Sequence, residues 1–269
     1  MEMRTSRRAF LGAVGTVAAV SVSGCSSPDE GEKSSDLSGV EIAKPVVDSG
    51  KLEGWEETDA RKMKMQSEIG TTPYVSFRTF ENVAFRERVK NLTLGEFDSP
   101  LAKFFAAHID LRGYTTIGAT PERLVGPAAA ELKANMRQSG IKNIREVEVG
   151  ANTPDVAKQT REYEGEFHYE GFSDTMMHEK AGEITLKLDG GTLPVRGFVS
   201  TWKVNSGTGF AAGGAYPAES FQKASTTSVT GNESVGLNLI LSADLGLQPT
   251  KRRVEIVELA NSVTIESNS

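Results

Sequence analysis

Strict alternation of apolar and polar residues predicts strands in the second half of this chain. Between residues 162 and 170, Tyr163, Phe167 and Tyr169 alternate with acidic residues and His168. A period of two is typical of a strand with one buried and one solvated face. We therefore expect a half-buried strand over this segment.

A second alternating segment is followed by two glycines. Its apolar residues lie at positions 184, 186 and 188, and the pair Gly190-Gly191 follows after one further residue. Glycine adopts the positive φ that a tight turn requires, and large apolar residues return at positions 198, 202 and 204. The pattern predicts a hairpin from about Glu183 to Val204.

Apolar residues with a period near 3.6 predict two helices. The first begins at Pro127 and ends at Gly140, a residue suited to the left-handed conformation that closes a helix. The second follows Pro249 and takes Thr250 as its amino-terminal cap. Their predicted buried residues are Ala128, Leu132 and Met136 in the first, and Ile256, Leu259, Ala260 and Val263 in the second.

The segment from Leu101 to Leu111 fits a short helix or a buried strand equally well. Elsewhere, the predicted strands cluster together and helices occur at intervals, without repeated βαβ units. The sequence therefore predicts an α+β domain with a mostly antiparallel sheet and two or three packed helices.

An apolar run from Ala9 to Val22 follows Arg4, Arg7 and Arg8, which is the layout of an export signal. Fourteen helical residues reach about 21 Å, short of the roughly 30 Å hydrocarbon core of a bilayer. We therefore expect no permanent spanning helix. Arg7-Arg8 followed by Phe10-Leu11 resembles the twin-arginine export signal.

Cys25 is the only cysteine among the 269 residues. It ends the string Val22-Ser23-Gly24-Cys25, which resembles a lipobox, in which the cysteine is lipidated and becomes the first residue of the mature chain. The alternatives are a small hydrophobic residue at the end of an apolar stretch and an intermolecular disulfide. We predict a signal peptide over residues 1–24 and a membrane anchor at Cys25.

Residues 25–50 are rich in serine and acidic residues and contain no aromatic residue. This composition predicts a flexible acidic tether, followed by a single globular domain over residues 51–269. Three of the 30 basic residues and one of the 36 acidic residues precede Cys25, which leaves 27 against 35 and a net charge of about −8. Without a basic stripe, a nucleic-acid partner is not expected.

The glycine-rich stretch from Gly207 to Gly214 contains a G-x-G-x-x-A string after a predicted strand. A dinucleotide fingerprint needs a helix directly after its glycines, and Pro217 interrupts the chain too early. The stretch is therefore interpreted as a glycine-rich turn or a close approach of backbones in the sheet. No cofactor is predicted.

Histidine occurs at His108, His168 and His178 alone. His168 shares a strand face with Glu166 and Glu170, and Asp174, His178 and Glu179 follow in a predicted loop, so a divalent metal site is conceivable. Their spacing matches no compact metal signature, and a solvated, charged strand face is the preferred interpretation. His108 is expected beside apolar neighbours without a chemical role.

No motif marks a catalytic residue. The chain contains neither a G-x-S-x-G elbow nor an H-E-x-x-H helix. Asn91 and Asn232 begin N-x-S/T strings and are candidate glycosylation sites in an exported protein.

The whole chain resembles a haloarchaeal family of twin-arginine-exported lipoproteins. The resemblance lies in the signal, in Trp202-Lys203-Val204 and in the segment from Gly213 to Pro217. The order of strands around a helix is also similar to the PsbP-like α/β sandwich. Neither resemblance implies a site residue.

The anchor, the tether and the missing catalytic motif together favour a membrane-anchored, extracytoplasmic, non-enzymatic binding or accessory domain. Its partner would be a protein or a small ligand. The alternatives are a small-ligand or metal-binding protein that serves a transporter, and an envelope hydrolase.

Overall fold

The computed structural model describes residues 41–64, 73–93, 95, 97–111, 120–178, 182–230 and 238–265. The helices are α1 (Val83–Leu92), α2 (Pro121–Gln138) and α3 (Pro249–Asn261), with a 3₁₀ turn at Ser49–Lys51. The strands are β1 (Pro45–Val46), β2 (Trp55–Lys64), β3 (Tyr74–Asn82), β4 (Lys103–Asp110), β5 (Ile141–Val147), β6 (Gln159–Tyr169), β7 (Phe172–His178), β8 (Gly182–Leu188), β9 (Gly191–Asn205), β10 (Thr208–Pro217), β11 (Gln222–Thr230), β12 (Asn238–Asp244) and β13 (Thr264–Ile265).

In these ranges the strands form three antiparallel sheets. The largest has seven strands in the order β2-β3-β4-β10-β9-β6-β5, the second has four in the order β12-β11-β8-β7, and β1 pairs with β13. Helix α2 packs on one face of the seven-stranded sheet, with Leu132 and Met136 in its buried cluster. Helices α1 and α3 pack on the other face through Phe85 and Ile256. The predicted α+β class with a mostly antiparallel sheet is confirmed.

One long hairpin connects the seven-stranded and four-stranded sheets. Its pairs run from Gln159 opposite Thr201 to Tyr169 opposite Gly191, and the same register continues from Phe172 opposite Leu188. The hairpin predicted from Glu183 to Val204 is therefore wrong, since β8 pairs with β7 and β11, and β9 pairs with β6 and β10. Neither glycine at 190 and 191 has a positive φ; the chain passes there from one sheet to the other.

Both predicted helices exist, with different first residues. Helix α2 begins at Pro121 and contains Pro127, because the buried residues Leu124 and Val125 extend its apolar face towards the amino terminus. Helix α3 begins at Pro249, whose fixed φ and missing N–H suit the first helical position. Thr250 therefore lies inside the first turn and is not the cap.

Two other local predictions are settled by the backbone. Gly140 follows α2 with φ +81°, so the predicted left-handed ending of the helix is confirmed. The ambiguous segment from Leu101 to Leu111 contains a buried strand, β4, which lies between β3 and β10 in the sheet. Periodicity alone could not distinguish β4 from a helix, because both faces of this strand are buried and apolar residues do not alternate with polar ones.

Two glycines of the glycine-rich stretch lie against backbone atoms of neighbouring strands. Gly213 and Gly214 lie in β10, where an added Cβ would come within 2.0 Å of Phe198 O and 2.1 Å of Lys103 O respectively. The interpretation as a close approach of backbones is confirmed at these two positions. Side chains larger than hydrogen are excluded there because the contacting atoms are backbone.

The folded part begins earlier than the sequence predicts. Residues 41–50, assigned to the tether, contain β1, and the side chains of Ile42 and Val47 are buried. Val47 belongs to the core cluster that also contains Phe85 and Ile256, so the predicted boundary at residue 50 is corrected. None of the helices in the described ranges combines the length and apolarity needed to cross a membrane.

Candidate functional site

A groove of about 600 Å³ lies at one end of the seven-stranded sheet, beside the segment through which the chain enters the domain. Residues 41–44 form one wall, and the last residues of β4 and the first of β10 form the floor. Ligand pockets commonly measure roughly 300 to 1,000 Å³, so the groove has room for a small molecule. Its described lining is Glu41, Ile42, Ala43, Lys44, Lys62, His108, Asp110, Gly207, Thr208 and Ile265.

The floor is built from residues that face each other across neighbouring strands. One row crosses five strands as Lys62, Ser76, His108, Phe210 and Trp202. Residues directly opposite in an antiparallel pair have Cβ atoms about 4.5 to 5.5 Å apart. The sheet therefore places polar side chains from β2, β3 and β4 next to the aromatic side chains of β9 and β10.

His108 is held in one orientation. Its ring contacts Phe210 with a centroid distance of 5.6 Å, and Phe210 stacks on Trp202 at 5.5 Å. Its Nδ1 lies 2.9 Å from Ala43 O. A carbonyl oxygen accepts only, so Nδ1 carries the proton and donates it. The aromatic neighbours and this hydrogen bond together fix both the ring and the tautomer.

The second ring nitrogen of His108 is the chemically available atom of the groove. In the neutral imidazole whose Nδ1 is protonated, Nε2 carries a lone pair, and Nε2 has no hydrogen-bond partner among the described residues. The residue as a whole is only 6% exposed. His108 lines the groove, so the lone pair of Nε2 suits a ligand that donates an N–H or O–H to it.

Asp110 adds a carboxylate to the same end of the sheet. It lies two residues after His108 on β4, is 5% exposed, and pairs across the ladders with Tyr74 and Thr208. Residues two apart on a strand share a face. The groove thus combines an imidazole and a carboxylate on its floor with the ammonium groups of Lys44 and Lys62 in its lining, which suits a polar ligand better than an apolar one.

A second buried polar cluster joins α3 to the opposite part of the sheet. The Glu162 carboxylate accepts from Arg253 Nη1 at 2.8 Å and Nη2 at 3.1 Å, and from Gly150 N at 2.8 Å. Arg253 Nη1 also donates to Tyr216 Oη at 2.5 Å. Burial opposes ionisation of Glu162, but the hydrogen bonds from Arg253 and Gly150 outweigh it and hold its pKa below the usual value. Because its groups satisfy one another, this cluster stabilises the fold and offers no vacant ligand position.

The structure assigns residues of the conceivable metal site to two different sheets. Asp174 and His178 lie in strand β7 and not in a loop, and that strand belongs to the four-stranded sheet. His168 Nδ1 lies 3.2 Å from Thr192 Oγ1, and its Nε2 is 3.9 Å from Glu166 Oε2. The described side chains contain no group of three or more histidine, cysteine or carboxylate residues placed to hold a metal ion.

The other predicted site residues are only partly covered by the structure. Arg7, Arg8, Cys25, Asn232 and Glu179 lie outside the described residues. Asn91 is exposed near the end of α1, but Thr93 of the same acceptor string is buried and its hydroxyl donates to Val89 O at 2.9 Å. The glycosylation of Asn91 stays a prediction.

Sequence reasoning missed His108 as a groove residue. It correctly placed apolar neighbours around the ring, since Phe210 contacts it, but it assigned no chemical role. One signal was present: Phe104, Ala106, His108 and Asp110 occupy one face of β4 and change from apolar to polar towards the end of the strand. That signal requires β4 to be recognised as a strand.

Comparison with known proteins identifies the family of this chain. No curated protein and no solved structure matches the chain. The model of one family, described as a domain of unknown function (DUF6517), matches residues 44–264, which include all three helices, the groove floor and, of the groove wall, Lys44 alone. The chain therefore belongs to the DUF6517 family.

Proposed function

We propose that this protein is an exported, lipid-anchored, non-enzymatic binding domain that holds a small polar ligand in the His108 groove. The twin-arginine string at Arg7-Arg8 and the lipobox ending at Cys25 support export and anchoring to the outer face of the cytoplasmic membrane. The resemblance to haloarchaeal lipoproteins supports the same location. A relationship to the PsbP-like fold, a fold used by accessory proteins, belongs to this proposal as well.

The observation that carries the binding role is the unpartnered Nε2 of the buried His108. The ring is fixed by Phe210 and Ala43 before any ligand arrives, so a ligand that donates to Nε2 loses little of its binding energy to ordering the site. The lysines and carboxylates that line the groove orient the charged groups of the ligand.

The test is native mass spectrometry of the full chain, extracted from membranes in detergent. We expect a small non-covalent adduct on the wild type that is absent from His108→Phe, because phenylalanine keeps the ring contact with Phe210 and removes the nitrogen. The matched control is His168→Phe, which makes the same change at an exposed histidine. A bare wild type, or an adduct that His108→Phe retains, would overturn the role of the groove.

A hydrolase is the second candidate, because Ser76, His108 and Asp110 lie on one face at adjacent positions of β3 and β4. In a Ser-His-Asp triad, the carboxylate accepts the Nδ1 proton and Nε2 accepts from the serine. Here Nδ1 donates to Ala43 O, and no hydrogen bond joins Ser76 to His108 among the described side chains. These two departures favour binding over hydrolysis.

The hydrolase candidate has a direct test. We expect p-nitrophenyl acetate to be hydrolysed no faster by the wild type than by Ser76→Ala. A rate that falls to the uncatalysed value in Ser76→Ala would replace the binding role by an enzymatic one.

A further inference from the structure

Two arginines stack on one aromatic ring where α1 meets α3. The guanidinium carbon of Arg252 lies 4.8 Å from the centroid of the Phe85 ring, and that of Arg88 lies 5.3 Å from it. Arg252 is 4% exposed. Stacking on a ring stabilises each cation, but it leaves two like charges in one partly desolvated place.

The hydrogen bonds of these arginines leave donors unused. Arg252 Nη1 donates to Glu255 at 2.6 Å, and Arg88 Nη2 donates to Gly246 O at 2.7 Å. The Nε atom of each arginine is buried and has no partner in the described part of the chain. A buried donor without an acceptor is costly, and here the two unused donors belong to neighbouring cations.

The carboxylates near Arg88 and Arg252 do not balance the positive charge of the two arginines. Glu255 is the carboxylate in contact with Arg252, and Lys251 shares it at 3.9 Å. Burial lowers the pKa of Arg252, and the charge of Arg88 lowers it further against the opposing effect of Glu255. By contrast, Arg61 also has an unpartnered buried Nε, but Glu131 and Asp59 both pair with its guanidinium.

The start of α3 increases the positive potential at the same place. Gln248 precedes the helix with φ +47° and provides no side-chain cap, and the first turn contains no acidic residue. The amino-terminal end of a helix carries a partial positive charge and unpaired N–H groups. Gly246 O, the acceptor of Arg88, lies two residues before Gln248.

We propose that Arg88 and Arg252 bind a small oxyanion between α1 and α3. Arg252 uses Nη1 for Glu255, which leaves Nε and Nη2 as two donors along one edge of a planar guanidinium. That fork matches two oxygens of one phosphate, sulfate or carboxylate. The burial of Arg252 restricts the ligand to a free small anion and excludes a lipid headgroup at a bilayer surface.

Isothermal titration of the full purified chain with sodium phosphate, at constant ionic strength, tests the site. We expect saturable binding to the wild type and a loss of affinity of about tenfold or more in Arg88→Gln, the cost of one charge-assisted hydrogen bond. Arg145→Gln is the control, because Arg145 is exposed and the substitution changes the net charge equally. Sulfate and acetate are expected to compete.

Three results would overturn the proposal. The first is the absence of saturable heat with phosphate, sulfate and acetate at millimolar concentrations. The second is unchanged phosphate affinity in Arg88→Gln. The third is equal competition by chloride, which cannot span two donors of one guanidinium edge. Because Arg88 is only half-buried, Arg88→Gln is the variant expected to fold, and Arg252→Lys serves as a second variant read by thermal unfolding with and without phosphate.

Discussion

Glu162 and Arg253 form a two-pronged ion pair between β6 and α3, with N–O distances of 2.8 and 3.1 Å. The carboxylate is fully buried and accepts a third hydrogen bond from Gly150 N. Glu162 therefore connects β6 to the last helix and to the loop before β6, and its carboxylate also accepts from Arg196 of β9 at 3.4 Å. Such a pair is costly to break from one side, because the partner is left as an isolated buried charge.

Substitution of Glu162 by Gln tests this relationship. We expect a loss of about 3 to 5 kcal/mol in the free energy of unfolding, the usual cost of removing one partner of a buried pair, measured by urea denaturation. Glu146→Gln, at an exposed carboxylate that faces Arg161 at 3.8 Å, is expected to change stability by less than about 1 kcal/mol. Equal effects of the two substitutions would contradict the assignment.

The same pair gives stability a defined pH dependence. The folded pKa of Glu162 lies below its usual value, so the unfolded chain binds the proton more readily than the folded one. The contribution of the pair is therefore present above the unfolded pKa of glutamate and is lost as pH falls through the folded pKa. As the pH is lowered, the urea midpoint of unfolding should fall more steeply for the wild type than for Glu162→Gln. The same dependence on pH in both proteins would refute this.

Two glycine-to-alanine substitutions should act in opposite directions. Gly213→Ala places a Cβ within 2.0 Å of Phe198 O, so β10 must separate from β9 and the chain should fail to fold or lose several kcal/mol of stability. Gly126→Ala, in α2, meets nothing within 4 Å and should gain about 0.8 to 1 kcal/mol from helix propensity. Thermal unfolding of both variants checks the prediction, which fails if Gly213→Ala melts at the wild-type temperature.

The contact of α2 with the sheet can be tested at Leu132. This side chain is 2% exposed, whereas Leu92 of α1 is 54% exposed. Leu132→Ala should cost about 2 to 5 kcal/mol through lost burial and the cavity left behind, and Leu92→Ala should cost much less. Chemical denaturation of the two variants measures the difference. Similar losses would mean that α2 does not cover the sheet as described.

The proposed anchor makes a prediction about location. Cys25→Ala should move the mature protein from the membrane fraction to the soluble fraction, because lipidation contributes about 0.8 kcal/mol per inserted methylene and stable attachment usually takes two chains. Ultracentrifugation followed by immunoblotting measures the distribution. Ser23→Ala leaves the cysteine in place and serves as the control. A mutant that sediments with membranes as fully as the wild type would remove the anchor from the proposal.

Local periodicity was sufficient to predict helix or strand where one face of an element is buried and the other is exposed to solvent. Tyr163 is buried in a strand whose residues Glu164 and Glu166 are partly exposed, although Glu162 is buried, and Ile256 lies on the buried face of α3. It was insufficient for β4, where both faces are buried and alternation disappears. The start of α2 was misplaced because two prolines, at 121 and 127, lie near it and the sequence does not show which of them begins the helix. In α3, Pro249 is itself the first helical residue and does not precede the cap.

Long-range pairing could not be read from neighbouring residues. The glycines at 190 and 191 have the composition of a turn, yet Gly191 pairs with Tyr169, 22 residues earlier. The surroundings of His108 also depend on long-range pairing. Ser76 and Phe210 flank it across the sheet and Ala43 O accepts from its Nδ1, although all three residues are distant in sequence. Neither the groove nor the hairpin that crosses between sheets has a local signature.

The pairing of β1 with β13 places Pro45 directly opposite Ile265. The first and last strands of the domain are therefore adjacent, at the distance between neighbouring strands, which is about 5 Å. This closeness makes the domain a module for protein engineering: it can be inserted into a surface loop of a host protein through two short linkers, or circularly permuted by joining its two ends, without stretching either strand.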